Sequence, residues 1–98
     1  MLEKSGMYAA CKAKVQAIEA AYDALVAATE AYQEFLTMQI AQANPADDSE
    51  NHFLVVANLQ RNTATGIINT LDTDAHDDLI RLSDRVIRFK HWEEGVFV

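Results

Sequence analysis

Residues 7–42 read MYAACKAKVQAIEAAYDALVAATEAYQEFLTMQIAQ, and this stretch decides the fold class. Apolar side chains recur in it at alternating steps of three and four, which is the spacing of one face of an α-helix and not of a strand. The members of this seam are Tyr8, Cys11, Val15, Ile18, Tyr22, Leu25, Thr29, Tyr32 and Leu36. The spacing therefore predicts one long helix that packs this face against other helices.

A second stripe follows the opposite side of the same helix and consists of alanine only. This alanine stripe contains Ala10, Ala13, Ala17, Ala20, Ala24, Ala27 and Ala31. One interpretation is a solvated face, because alanine is the best helix former. The other is a close-packing surface, because small side chains let a second backbone approach. Under the second interpretation, the alanine stripe is the oligomer interface.

Two further helices are predicted after residue 42. Asn44 can cap a helix whose first residues include Pro45, so a second helix is expected over about residues 46–71. Its seam is Phe53, Ala57, Gln60, Ala64, Ile67 and Leu71. Asp72-Thr73-Asp74 then looks like a fresh cap, and a third helix is expected over residues 74–92. Its core stripe is Leu79, Leu82, Val86 and Phe89.

These elements predict an all-α fold in which a long N-terminal helix forms a hairpin and a third, shorter helix packs beside it. Ninety-eight residues fit a single domain, so residues 1–98 are assigned to one helical domain. The first helix would be about 50 Å long and the third about half that. Tyr8, Cys11 and Val15 would then lack a cover from their own chain. We therefore expect a three-helix bundle completed by oligomerisation, as a homodimer or larger assembly.

Composition limits the partners of the chain. The net charge of −7 opposes contact with phosphate backbones and anionic membranes, so neither direct nucleic-acid binding nor membrane binding is expected. No stretch has the length and hydrophobicity of a membrane span. The single cysteine, Cys11, has no partner for an internal disulfide, which fits a reducing compartment. We expect a cytoplasmic location.

The residue types that carry catalysis or bind metals do not occur at the required spacings. His52, His76 and His91 form neither a His-x-x-x-His nor a Glu-x-x-His pair. The acidic run from Asp72 to Asp78 lacks the glycine and the glutamate of a calcium loop. A helix-capping cluster explains the same residues without a metal. The sequence therefore predicts no enzyme, no metal site and no cofactor.

The third predicted helix carries the surface most typical of a partner-binding site. Arg81, Arg85, Arg88 and Trp92 fall on one side of it, and arginine and tryptophan are enriched at the energetic centres of protein interfaces. The alternative is that the arginines pair within the chain with Asp77, Asp78 and Asp84. If they are free, they would bind an acidic protein surface or a phosphate group.

The chain is small, lacks residue spacings typical of catalysis or metal binding, and has more apolar helix surface than its own helices would cover. These features favour a protein-binding module that acts as an adaptor, a chaperone-like factor or an inhibitor. The module would work as an oligomer through its first helix. An alternative is an acidic inhibitor that mimics nucleic acid and occupies the basic groove of an enzyme. In that case Asp47, Asp48, Glu50 and the Asp72–Asp78 cluster would spread along one face. A third possibility is a small enzyme or ligand-binding bundle built around Tyr8, Tyr22 and Tyr32.

Overall fold

The computed structural model describes residues 2–96, which form a rod of 71 × 20 × 19 Å with no strand among them. One arm of the rod is α1 (Met7–Gln42), and the other arm returns antiparallel to it. The second arm consists of α2 (Asp48–Thr70), a π-helical turn (Leu71–Ala75), α3 (His76–Arg85) and α4 (Ile87–Glu93). The prediction of an all-helical protein with two long helices is confirmed.

The second arm is continuous, because the backbone stays in the right-handed helical region at each junction between its elements. Asp72, Thr73 and Asp74 do not start a new helix. A cap requires the preceding backbone to leave the helical region, and no glycine or proline interrupts the chain here. The prediction of a separate third helix over residues 74–92 is therefore wrong, and the chain alone forms a two-arm hairpin rather than a three-helix bundle.

This continuity places α3 and α4 against the first half of α1. Tyr8, Cys11 and Val15 are consequently half-buried by their own chain. The backbone N–H of Tyr8 donates a hydrogen bond to Glu93 Oε1, so a carboxylate from the end of the second arm caps the start of α1. The expectation that these residues lack a cover from their own chain, because the helix lengths do not match, is wrong, while completion of the fold by oligomerisation is not confirmed.

The two arms meet at a tight turn. Asn44 Oδ1 accepts a hydrogen bond from the backbone N–H of Ala46, at 3.0 Å. Asp47 is the N-cap of α2, since its carboxylate accepts from the N–H of Glu50, also at 3.0 Å. The cap lies three residues after the predicted Asn44, because the asparagine side chain stabilises the turn before the helix instead.

The buried core is small and made mostly of small side chains. Among residues 2–96 the buried side chains are those of Thr29, Leu36, Ala57 and Ala64. Thr29 satisfies its hydroxyl by donating to the Leu25 carbonyl, at 2.7 Å. A hairpin of two helices has a single line of contact, and small residues on that line let the two backbones lie close together.

Several residues predicted for the core lie outside it. Residues that were assigned to a seam or core stripe but remain exposed are Ile18, Leu25, Tyr32, Phe53, Gln60, Ile67, Leu82 and Phe89. In α1 the half-buried positions Val26 and Gln33 come one residue after predicted seam members. In the expected three-helix bundle each helix has two neighbours, whereas in this hairpin each arm has one. Fewer seam residues are therefore covered.

The π-helical turn keeps the second arm in phase with α1. Leu71, Ala75 and Leu79 are spaced by four, and each such step rotates a residue by about 40° around an ideal α-helix. A π-helical turn holds more residues per turn, so it removes that drift. All three residues are consequently half-buried along the arm. The turn acts as a one-residue insertion that does not disturb the packing on either side.

Replacing Leu36 by alanine is expected to lower the free energy of unfolding by about 2–4 kcal/mol, because Leu36 is the largest of the buried side chains, with 5% exposure. Leu59→Ala is the matched control, since Leu59 is 63% exposed and its truncation creates no cavity. Urea unfolding followed by circular dichroism measures both variants. Equal losses in the two would contradict the placement of the core.

Deleting Thr73 is expected to convert the π-helical turn into ordinary α-helix and to leave the hairpin intact. The deletion changes the spacing of the half-buried residues from four and four to three and four, which an α-helix accommodates. Deleting Thr63, an exposed threonine within α2, rotates everything after it by about 100° and should lower the urea midpoint sharply. Similar midpoints for the two deletions would rule out this role for the turn.

Candidate functional site

One side of the hairpin carries an exposed apolar surface that extends over both arms. We call it the lateral stripe: Ile18, Leu25, Tyr32 and Phe35 of α1, with Phe53, Val56 and Ile67 of α2. Ile18, Leu25 and Tyr32 are seven residues apart and so lie on the same side of α1. Every member is between 39% and 56% exposed. Each side chain is thus anchored on the hairpin while much of its surface stays uncovered.

A shallow groove shows that the two halves of the lateral stripe lie on the same side of the hairpin. Ala28, Tyr32, Thr63 and Ile67 are among the residues lining this groove of about 250 Å³. Across it, the Tyr32 hydroxyl donates a hydrogen bond of 2.9 Å to Gln60 Oε1. The stripe therefore forms one surface, with a polar bridge between the arms at its middle.

The opposite side of the hairpin is polar at the same level. Gln33 Nε2 donates to Thr65 Oγ1 at 2.7 Å, which joins α1 to α2 on that side. Arg61 lies nearby and donates to Asn58 Oδ1 at 3.1 Å. The two sides of the hairpin thus differ in chemistry, and only one of them presents a band of large apolar side chains here.

The alanine stripe lies on the outer face of α1, away from the second arm. All seven of its members are exposed. Ala27 borders a hollow that it shares with Asp72 and His76 of the second arm. The exposure of the stripe is compatible with both of its interpretations. Its role as an oligomer interface stays a prediction.

The arginine residues predicted to bind a partner lie near the open end of the hairpin. Arg81 and Arg85 line a hollow of about 420 Å³ together with Val15, Leu82 and Phe89. Arg81 Nη1 also donates to Asp78 Oδ1 at 2.7 Å, and both side chains are exposed. One of the predicted arginines therefore does pair within the chain, with Asp78, which is one of its three predicted partners.

Arg88 and Trp92 line a second hollow at the same end, of about 530 Å³, which is shared with Leu2, Met7 and Phe89. The Lys4 ammonium lies 5.2 Å from the centroid of the Trp92 ring, so this ring already has a cation over it. The structure brings all four predicted residues to one end of the rod and combines them with apolar walls. Whether they bind a partner stays a prediction.

A polar cluster surrounds the π-helical turn. The Tyr22 hydroxyl donates to the Leu71 carbonyl at 3.0 Å, and the Tyr22 and His76 rings are 6.0 Å apart. Asp23, Glu30 and Asp72 line the same open hollow. Loss of solvent raises the pKa of Tyr22 above its usual 10.0, and the negative charges of Asp72 and Asp23 raise it further.

The remaining candidates for chemistry do not converge. Tyr22 and Tyr32 line different hollows, while the backbone of Tyr8 contacts Glu93 at the open end. Cys11 is a free, half-buried thiol. Within residues 2–96, no group of three or more His, Cys, Asp or Glu side chains is placed to hold a metal ion. None of the helices in this part of the chain is long and apolar enough to cross a membrane.

The sequence pattern did not predict the lateral stripe as an exposed surface. Five of its members were assigned to the predicted seams: Ile18, Leu25, Tyr32, Phe53 and Ile67. The available signal was the width of the apolar pattern, because α1 has apolar positions well beyond the single band that one antiparallel neighbour can cover.

Comparison with known proteins identified no relative: no family model, no curated protein and no solved structure matches this chain.

Replacing Tyr22 by phenylalanine is expected to make the fold less sensitive to alkali. A phenol with a raised pKa stabilises the fold below about pH 10, and this contribution is lost as the pH rises through the folded-state pKa. The wild type should therefore lose more stability than Tyr22→Phe between pH 8 and pH 11, as measured by urea unfolding. Tyr8→Phe, which keeps Tyr22, is the control. Equal losses in wild type and Tyr22→Phe would contradict the prediction.

Proposed function

We propose that this chain is a small acidic helical module that binds other proteins and acts as an oligomer through its first helix. The observation that carries the proposal is the amount of surface left uncovered. The chain exposes 7194 Å², whereas a compact monomer of 10.9 kDa exposes about 5,600 Å². The excess is about twice what one partner contributes to a standard protein interface.

The kind of surface supports the proposal as well. Phe35 and Met38 are each more than half exposed, although such side chains are stabilised by leaving water. Large uncovered apolar surfaces on folded proteins mark sites of contact with other molecules. The partner class we propose is protein, and the module would act as an adaptor, a chaperone-like factor or an inhibitor.

The arginine residues at the open end add a second reason to propose a protein partner. Arg81, Arg85 and Arg88 border apolar hollows, and a combination of cationic rims with apolar floors suits an acidic partner that also offers aliphatic or aromatic side chains. The chain's own net charge of −7 lies mostly elsewhere on the rod. This end is therefore a site at which a different, acidic protein could bind.

The charge density of the rod favours this proposal over nucleic-acid mimicry. Duplex DNA carries one negative charge per about 1.7 Å of its axis, so a duplex as long as this rod would carry about 42. The chain has 15 acidic residues and a net charge of −7. In addition, the acidic turn at Asp47–Glu50 is separated from Asp72 by the rest of α2, which contains no acidic residue after Glu50.

The proposal predicts that the chain associates with itself in solution. Light scattering over a concentration series should give a particle mass above 10.9 kDa that falls towards this value on dilution. The urea midpoint should also rise with protein concentration, because association stabilises only the folded chain. A mass of 10.9 kDa at every concentration, with a concentration-independent midpoint, would contradict the proposal.

A further inference from the structure

The lateral stripe occupies the position on α1 at which a second helix layer would pack. Leu25 and Tyr32 come one residue before the half-buried Val26 and Gln33. One residue corresponds to about 100° around an α-helix, so the stripe lies roughly at right angles to the contact with the second arm. In a four-helix bundle each helix contacts two neighbours in about this arrangement.

The size of the rod is sufficient for a stable dimer through this side. A standard interface takes about 800 Å² from each partner. Because the rod is about 20 Å wide, an overlap of about 40 Å along its 71 Å length supplies this area. The α1 part of the stripe, from Ile18 to Phe35, extends over about 26 Å of that overlap.

The distribution of charge allows two copies of an acidic chain to meet on this side. The four acidic residues of α1 are Glu19, Asp23, Glu30 and Glu34, and none of them belongs to the lateral stripe. They follow one another at steps of four and seven, which places them together on another face of the helix. The α2 part of the stripe lies in a segment with no acidic residue after Glu50. Contact through the stripe therefore does not bring like charges together.

We propose that the lateral stripe is occupied by a second copy of this chain, packed antiparallel, so that two hairpins form a four-helix bundle. This inference rests on the self-association in the proposed function and specifies the surface that makes it. A twofold axis near Val26 brings the Ile18 end of one stripe to the Phe35 end of the other. The interface is then the same patch on both copies, as twofold symmetry requires.

Charge complementarity between the two ends of the rod selects the antiparallel arrangement. The turn end carries Asp47, Asp48 and Glu50. At the open end the cations outnumber the carboxylates: Lys12, Lys14, Arg85, Arg88 and Lys90 against Asp84, Glu93 and Glu94. An antiparallel pair brings the acidic turn of each copy towards the arginines of the other. A parallel pair would instead place the two acidic turns side by side, where six carboxylates repel one another.

The bundle also gives the alanine stripe a different role from the one that the spacing predicted. Ala17 and Ala24 lie on the face of α1 opposite the second arm, so they point away from both neighbours in the bundle. The copies would thus meet through large apolar side chains of both arms. The alanine stripe would stay on the outside of the dimer.

The test uses two double variants, each of which replaces two exposed aliphatic side chains by lysine. Leu25→Lys/Ile67→Lys places cations in the lateral stripe at residues that are 48% and 43% exposed. Val55→Lys/Leu59→Lys makes the same kind of change at exposed residues of α2 outside the stripe. We expect light scattering to give about one chain mass for the first variant and about two chain masses for the second. Circular dichroism verifies that both keep their helices.

The Ala17→Glu/Ala24→Glu variant separates this inference from the proposed function. We expect it to remain a dimer. A monomeric wild type would overturn both the proposed function and the inference. A wild-type oligomer that survives Leu25→Lys/Ile67→Lys, or that dissociates only in Ala17→Glu/Ala24→Glu, would overturn the inference and leave the proposed self-association standing.

A distance measurement on the unmodified stripe tests the orientation even if a lysine variant fails to fold. Ala41 is exposed near the turn end, and Ala41→Cys in a Cys11→Ala background gives one labelling site for each chain. Energy transfer between labels on the two copies should report a separation of about 45 Å, since Ala41 lies fifteen residues from the axis. A separation near the 20 Å width of the rod would overturn the antiparallel arrangement.

Discussion

Two helices packed side by side share a single line of contact, and this limit determines most of what the chain presents to its surroundings. The contact between α1 and α2 uses Thr29, Ala57 and Ala64, so the backbones lie close together and little side-chain volume is enclosed. Such a contact stabilises an antiparallel arrangement without removing large side chains from water. Phenylalanine, leucine and isoleucine residues on either side of the line consequently remain half-exposed, and the apolar content that would form a core in a globule becomes surface.

The length of the second arm depends on a local adjustment rather than on a break. Residues 71–75 accommodate an extra position, which keeps Leu71, Ala75 and Leu79 all half-buried. The widened turn also presents the Leu71 carbonyl to the Tyr22 hydroxyl. The π-helical turn thus accounts both for the register of the second arm against α1 and for the polar cluster around Tyr22. A regular α-helix with this sequence would rotate the end of the arm away from α1.

The sequence predicted which residues are helical better than it predicted how the helices pack against one another. Periodicity located α1 at residues 7–42, because a helix of this length is determined by spacing alone. The Asp72-Thr73-Asp74 cluster suggested a helix start that the structure does not have. Residues that cap helices are also tolerated within a helix when their side chains face solvent. Thr73, for example, donates a hydrogen bond to the Asn69 carbonyl. For the candidate site, spacing placed Arg81, Arg85, Arg88 and Trp92 on one side of a helix. In the structure the first two line one hollow and the last two another, and their binding role stays a prediction. The lateral stripe was not predicted, because spacing identifies the faces of a helix but does not show how many of those faces the chain itself covers.

The contact between Tyr8 and Glu93 joins residues that are 85 positions apart in the chain. Closing so long a loop directly carries a large entropic cost, whereas the turn at Ala43–Asp47 brings its flanking residues together at little cost. The hairpin therefore has a preferred direction of assembly, in which pairing begins at the turn and proceeds like a zipper towards the termini. The open end, with its arginines and Trp92, is therefore the last part to close and the first to fray.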